Sequence, residues 1–178
     1  NVLVSMLFSG MSGSSVADAS GMGVVEMEMM EKGGYDKKFS AAITAASATI
    51  GPIIPPSIPF VIYGALTGAS VGKLFMAGLI PGVFMGIALM ITVYILAKRR
   101  SYPRSDKRYT SKEKLFGLLN ALVPLGSFFI IIGGISFGVF TPTEAAIVAC
   151  VYGLIIGFLV YKDLNLNKLP AILTETIK

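Results

Sequence analysis

Residues 39–66, FSAAITAASATIGPIIPPSIPFVIYGAL, are long enough to cross a bilayer and carry no charge. Their middle, Gly51-Pro52-Ile53-Ile54-Pro55-Pro56-Ser57-Ile58-Pro59, cannot be a continuous helix. Each proline lacks a backbone donor, clashes with the preceding turn and pushes the residue before it out of the helical region. Hydrocarbon offers no water to the freed groups, so unwound backbone persists at that depth only inside protein or beside a watery cavity. Broken helices of this kind carry the substrate and ion sites of secondary transporters. Residues 51–59 are therefore expected to form half of a binding site. The small, hydroxyl-rich flank Ala45-Ala46-Ser47-Ala48-Thr49 should pack closely beside it.

Composition supports that setting. Hydrophobic residues make up 54% of the chain and charged residues 14%, whereas soluble domains carry about a quarter charged residues. The expected class is an all-α integral membrane protein. Beginning at Asn1 inside an apolar run, the sequence reads as a portion of a longer protein. Cys150 is the single cysteine and lies in an apolar stretch, so a buried, inert thiol is expected and a disulfide framework is excluded. The absence of histidine removes imidazole metal ligands and bases. No acid–base pair, activated nucleophile or phosphate loop points to an enzyme. The net charge of +5 comes from lysines and arginines beside apolar spans, which topology explains better than nucleic acid does.

Taken in order, residues 1–11 are apolar but too short to span. They meet Ser12-Gly13-Ser14-Ser15, after which residues 16–30 resume a helical pattern. Two short helices around a Ser/Gly tip predict a re-entrant hairpin. Ser15 and Asp18 fit a capping box, with the Asp18 carboxylate reaching back to free amides. An ionisable residue at membrane depth is equally a functional candidate. Glu26, Glu28 and Glu31 are expected at the interface. Further spans are expected over 77–97, 115–137 and 145–161, with a polar turn at 67–73 and a tight turn at 138–144. Glu144 is expected to cap the helix that Pro142 opens. With both hairpin arms ending on one side, the segments 31–38, 98–114 and 162–178 share that side. They hold three, eight and three basic residues, 14 of the 15 in the chain, and only Lys73 lies opposite. Such a bias marks the cytoplasm. Two uncharged tips, 12–15 and 51–59, then offer carbonyls and hydroxyls suited to sodium, and helix N-termini suited to a carboxylate.

Several motifs together carry a resemblance: FSGMSGSSVAD at 8–18, TAAS at 44–47 with IGPIIPPSI at 50–58, AGLIPG at 77–82 and GVFTPTEA at 138–145. The ordered set closely resembles the large membrane subunit (DctM-like) of tripartite ATP-independent periplasmic (TRAP) transporters, over nearly the whole chain. The resemblance implies an internal portion of an inverted-repeat, elevator-type transporter of the ion transporter superfamily. Residues 1–76 would hold the hairpin and broken helix of the transport domain, and 77–178 the helices leading into the second repeat. It implies sodium-coupled uptake of organic acid anions, such as C4-dicarboxylates or sialic acid, as a multi-pass protein of the bacterial inner membrane. A small membrane subunit (DctQ-like) and a periplasmic substrate-binding protein (DctP-like) would be its partners, and sodium its coupling ion, with no organic cofactor. Carried over by motif, the sodium and substrate site would draw on Ser9, Ser12, Gly13, Ser14, Ser15, Asp18, Ser47, Gly51, Ile54, Pro55 and Pro56. Sodium itself would be held at Ser12, Ser14, Gly51, Ile54 and Pro56, mainly by backbone carbonyls. A stand-alone sodium–dicarboxylate or citrate symporter is the alternative. A passive channel or structural subunit is disfavoured, because a pore needs a continuous polar stripe and Asn120 is the only Asn or Gln inside a full span.

Overall fold

A computed structural model describes residues 1–103, 110–162, 164–165 and 169–177. Regular structure among them is entirely helical. The first helix, α1 (Val2–Ser12), stops at Gly13, whose φ of 61° is the left-handed conformation that favours glycine. Ser14 then turns extended and caps α2 (Ser15–Ala17), its hydroxyl accepting from the Ala17 N–H at 3.4 Å. A wider π-helical turn (Asp18–Met22) leads into α3 (Gly23–Lys32). Two short helical arms around a Ser/Gly tip are thus present. The capping box expected at Ser15 and Asp18 is not. The cap falls one residue earlier, and the Asp18 carboxylate turns inward toward Ser9 instead of back toward the helix start. Glu26 departs from expectation as well. It is 3% exposed, because α3 turns that face onto α1 and α4, while Glu28 and Glu31 stay at the surface.

Asp36 caps α4 (Lys37–Ala48), accepting from the Phe39 N–H at 3.1 Å. Beyond Ala48 the chain tightens into successive three-residue turns: Ile50 N–H to Ser47, Gly51 N–H to Ala48, and Ile53 N–H to Ile50. Ser57 restarts the helix as α5 (Ile58–Thr67), accepting from the Phe60 N–H at 3.3 Å. The break therefore covers residues 49–57 rather than 51–59. Pro59 sits in the first turn of α5, where a missing donor costs nothing. Gly51 is not among the glycines with positive φ, so its role is close approach and not unusual backbone.

After the Gly68 turn, α6 (Val71–Arg99) runs 29 residues with Pro81 inside it. It is followed by α7 (Ser111–Ser136), α8 (Pro142–Ile155) with a π-helical extension (Ile156–Val160), and α9 (Leu169–Ile177). At α8, Thr141 and Glu144 form the expected reciprocal capping box. The stretches Val71–Arg99 and Pro142–Val160 are long and apolar enough to cross a membrane, and only 11% of each apolar window is buried. Apolar side chains such as Phe84, Ile91, Ile147 and Leu159 instead point outward, as a lipid-facing surface requires. Cys150 belongs to that surface. It is exposed, a helical turn from Ile147 and Leu154, and is not the buried thiol expected from sequence.

The two ends are built differently. Val2, Phe39 and Ile43 pack with Tyr35 and Tyr102 at one end, where the Arg100 guanidinium lies 5.2 Å from the Phe39 ring centre. This brings Tyr35 of the basic segment 31–38 against Tyr102 of the segment 98–114, ring centres 4.7 Å apart; residues 104–109 lie outside the described ones. At the other end Phe75, Ile135 and Ala145 pack with Phe60 and Phe140. Between the ends, α6 presents glycines at successive four-residue steps. A Cβ on Gly78 would lie 2.6 Å from the Ile53 carbonyl, one on Gly82 would lie 2.5 Å from Ile54 Cγ1, and one on Gly86 would overlap Met6. Small residues at this spacing let a neighbouring backbone come close, and here Gly78 and Gly82 seat the broken segment on α6 while Gly86 admits Met6 of α1. Gly82→Leu should lower the thermal unfolding midpoint of the detergent-solubilised protein, corresponding to about 1–3 kcal/mol of overpacking. Gly153→Leu, with nothing within 4 Å of its Cβ position, should leave the midpoint nearly unchanged. Equal effects would remove the close-approach role of the stripe.

Candidate functional site

The two irregular segments meet. Gly13, at the hairpin tip, accepts through its carbonyl from the Ile58 N–H at 3.3 Å. A Cβ on Gly13 would run into the Pro56 carbonyl oxygen. On the other side of the contact, a Cβ on Gly51 would lie 3.2 Å from Ser14 C and 3.3 Å from Ser15 N. Each break therefore uses a glycine to admit the other's backbone; a side chain at Gly13 is excluded at this separation, and one at Gly51 would require its neighbours to give by a few tenths of an ångström.

Within the 49–57 segment some carbonyls are used and others are not. Ile50 accepts from Ile53 and Ile54, and Pro52 accepts from the Ser57 hydroxyl. Among the described residues no donor reaches the carbonyl oxygens of Gly51, Ile54, Pro55 or Pro56. Ser12 and Ser14 face each other at the tip, with the Ser12 hydroxyl 3.5 Å from both the carbonyl and the amide of Ser14. The junction is thus rich in oxygen acceptors and poor in donors, and a hard cation is the natural complement to such a set.

The residues singled out from sequence separate into groups. Ser12, Gly13, Ser14, Ser15, Gly51 and Pro56 are brought together at the junction. Ser9 and Asp18 lie below it, both buried, with the Ser9 hydroxyl donating to one Asp18 oxygen at 3.4 Å and the other Asp18 oxygen lacking a partner. Ile54 and Pro55 are buried, and the Ile54 side chain rests against Gly82 of α6. Ser47 does not reach the tip; its hydroxyl lies 2.9 Å from that of Ser5.

Ser5, Glu26, Ser40 and Thr44 were not foreseen, yet all four are buried with the others between α1, α3 and α4. A signal was available: hydroxyls at 5, 9 and 12 on α1, and at 40, 44 and 47 on α4, recur every three or four residues and so mark one face of each helix. At the exposed end of α3, Lys32 pairs with Glu28 at 2.8 Å and holds that carboxyl below its usual range.

Comparison with known proteins identifies the family. The family described as "Tripartite ATP-independent periplasmic transporter, DctM component" matches residues 1–178. The chain is 46% identical over 180 residues to the sialic acid TRAP transporter large permease protein SiaM of Vibrio cholerae, covering 99% of this chain and 41% of that protein. It is 49% identical over 174 residues to the sialic acid TRAP transporter permease protein SiaT of Haemophilus influenzae, covering 95% and 27%. Against the C4-dicarboxylate TRAP transporter large permease protein DctM of Pseudomonas aeruginosa it is 43% identical over 177 residues, covering 99% and 41%. The chain thus spans less than half the length of these relatives, which are permeases and not enzymes. By profile and by identity along its whole length, the chain belongs to the DctM component family of tripartite ATP-independent periplasmic transporters.

Proposed function

We propose that this chain forms one half of the sodium and substrate site in the large membrane subunit of a sodium-driven organic acid importer. The observation that carries the reading is the junction at Gly13, Gly51 and Pro56, where two backbone breaks interlock and leave carbonyls without donors. In hydrocarbon each such carbonyl costs several kcal/mol unless something satisfies it. Sodium bound between the carbonyls of Gly51, Ile54 and Pro56 and the tip residues Ser12 and Ser14 would do so, tying the hairpin to the broken helix. The N-terminus of α5, freshly capped by Ser57, faces the same region and suits a carboxylate. The organic anions named for the relatives, sialic acid and C4-dicarboxylates, share that group.

In this reading residues 1–32 form a re-entrant hairpin, opening and closing on the cytoplasmic side of a bacterial inner membrane. Residues 1–76 belong to a transport domain that moves as an elevator relative to its surroundings, and 77–178 lead into a second repeat. A small membrane subunit and a periplasmic substrate-binding protein complete the transporter.

Three outcomes test this. In a cysteine-free background of the full-length protein, an impermeant maleimide applied to intact cells should label Ser70→Cys and spare Ser101→Cys; the reverse pattern would invert the topology. Gly51→Leu should weaken sodium activation of uptake more than about tenfold, equivalent to about 1.4 kcal/mol, with expression and subunit assembly preserved. Unchanged sodium dependence would leave the segment as a helix break with no part in the ion site. Reconstituted in liposomes, the large subunit should take up substrate only when the small subunit and binding protein are added. Sodium-driven uptake by the large subunit alone would favour a stand-alone symporter.

A further inference from the structure

A second polar group lies away from the tip and joins α1, α3 and α4. Ser5 Oγ is 3.0 Å from each oxygen of the Glu26 carboxyl, and the two residues are 1% and 3% exposed. Ser5 Oγ is also 2.9 Å from Ser47 Oγ. Ser47 in turn lies within donating reach of Asn1 Oδ1 at 3.3 Å and the Thr44 carbonyl at 3.0 Å. Asn1 Nδ2 donates to Thr44 Oγ1 at 2.8 Å.

Each serine has a single proton to give. When Ser47 donates to Asn1 or Thr44, it must accept from Ser5, and Ser5 then has no proton left for Glu26. The group closes in one direction, from Glu26 to Ser5 to Ser47 and on to Asn1 or Thr44, when Glu26 itself supplies a proton. An ionised Glu26 would reverse Ser5 and Ser47 and leave a buried charge with one hydroxyl partner, a costly arrangement without a cation. The nearby charges do not relieve it. Lys32 is held by Glu28 at 2.8 Å, Asp18 on the π-helical turn has the same sign, and Lys37 and Lys38 are exposed at the start of α4. Lys98 of α6 opens onto the same cavity as Glu26 but is exposed. The oxygen pairs are 2.9–3.0 Å apart, the separation of O–H···O hydrogen bonds. Glu26 also lines a cavity of about 860 Å³ at the basic end, together with Lys32, Tyr94, Lys98 and Tyr102, which gives it a route to water.

We propose that Glu26 is a proton-binding site. It holds a proton while α1, α3 and α4 are packed together, and exchanges it through the cavity at the basic end. The proposal goes beyond sodium coupling at the tip and is independent of it. Infrared difference spectra of the purified full-length permease at neutral pH should show a protonated carboxyl band. Glu26→Gln should abolish that band, Ser5→Ala should shift it by removing its hydrogen-bond partner, and Asp18→Asn should leave it in place. A band that survives Glu26→Gln, or the lack of any such band in the wild type, would overturn the proposal. A second measurement reads the same proton through stability. A group protonated in the folded state and ionised in the unfolded state loses stability as pH rises. The unfolding midpoint of Glu26→Gln should therefore rise relative to that of wild type from mildly acidic to mildly alkaline pH. A constant difference would contradict a bound proton.

Discussion

A carbonyl freed from a helix inside hydrocarbon has no water to turn to, and this constraint organises the chain. Four such oxygens, on Gly51, Ile54, Pro55 and Pro56, lie in the broken segment without a donor among the described residues. The rest of the fold brings something to them. Gly13 takes a left-handed turn so that the hairpin tip reaches Pro56 and Ile58. The glycines of α6 let Ile53 and Ile54 settle against a long apolar helix. The prolines break the helix, and the glycines seat the break against α6.

The interior combines two apolar clusters with a large share of polar groups. Large apolar side chains of α5, α6 and α8 face outward, while Ser5, Ser9, Asp18, Glu26, Ser40, Thr44 and Ser47 are buried. Polar contacts inside a membrane protein hold helices where hydrophobic burial offers little preference between lipid and protein. The hydroxyl faces of α1 and α4 serve that end and also keep two carboxyl groups out of the bilayer. The aromatic group of Tyr35, Phe39 and Tyr102, joined by Arg100, closes the basic end.

Much of this was legible from residue order. Proline spacing located the broken helix to within two residues, the Ser/Gly tip located the break between α1 and α2, and Thr141 with Pro142 and Glu144 located the α8 start. What stayed hidden depended on which face a helix buries. Asp18 has the spacing of a cap, but the π-helical turn carries its carboxylate inward to Ser9. Glu26 sits among surface acids in sequence, yet the rotation of α3 turns it onto Ser5. Cys150 lies in an apolar run, and such a run reads the same whether it faces protein or lipid. For the site, sequence named the tip residues that meet, but it did not separate Ser47, which binds Ser5 elsewhere.

The central claim is that sodium joins the two breaks. Backbone hydrogen–deuterium exchange of the full-length protein, compared in sodium and in potassium, tests it most directly. The account predicts sodium-specific slowing in both residues 12–16 and residues 49–58, including the Ile58 amide that donates to Gly13. Exchange that is identical in the two salts, or slowed in only one of the two segments, would contradict a shared ion site.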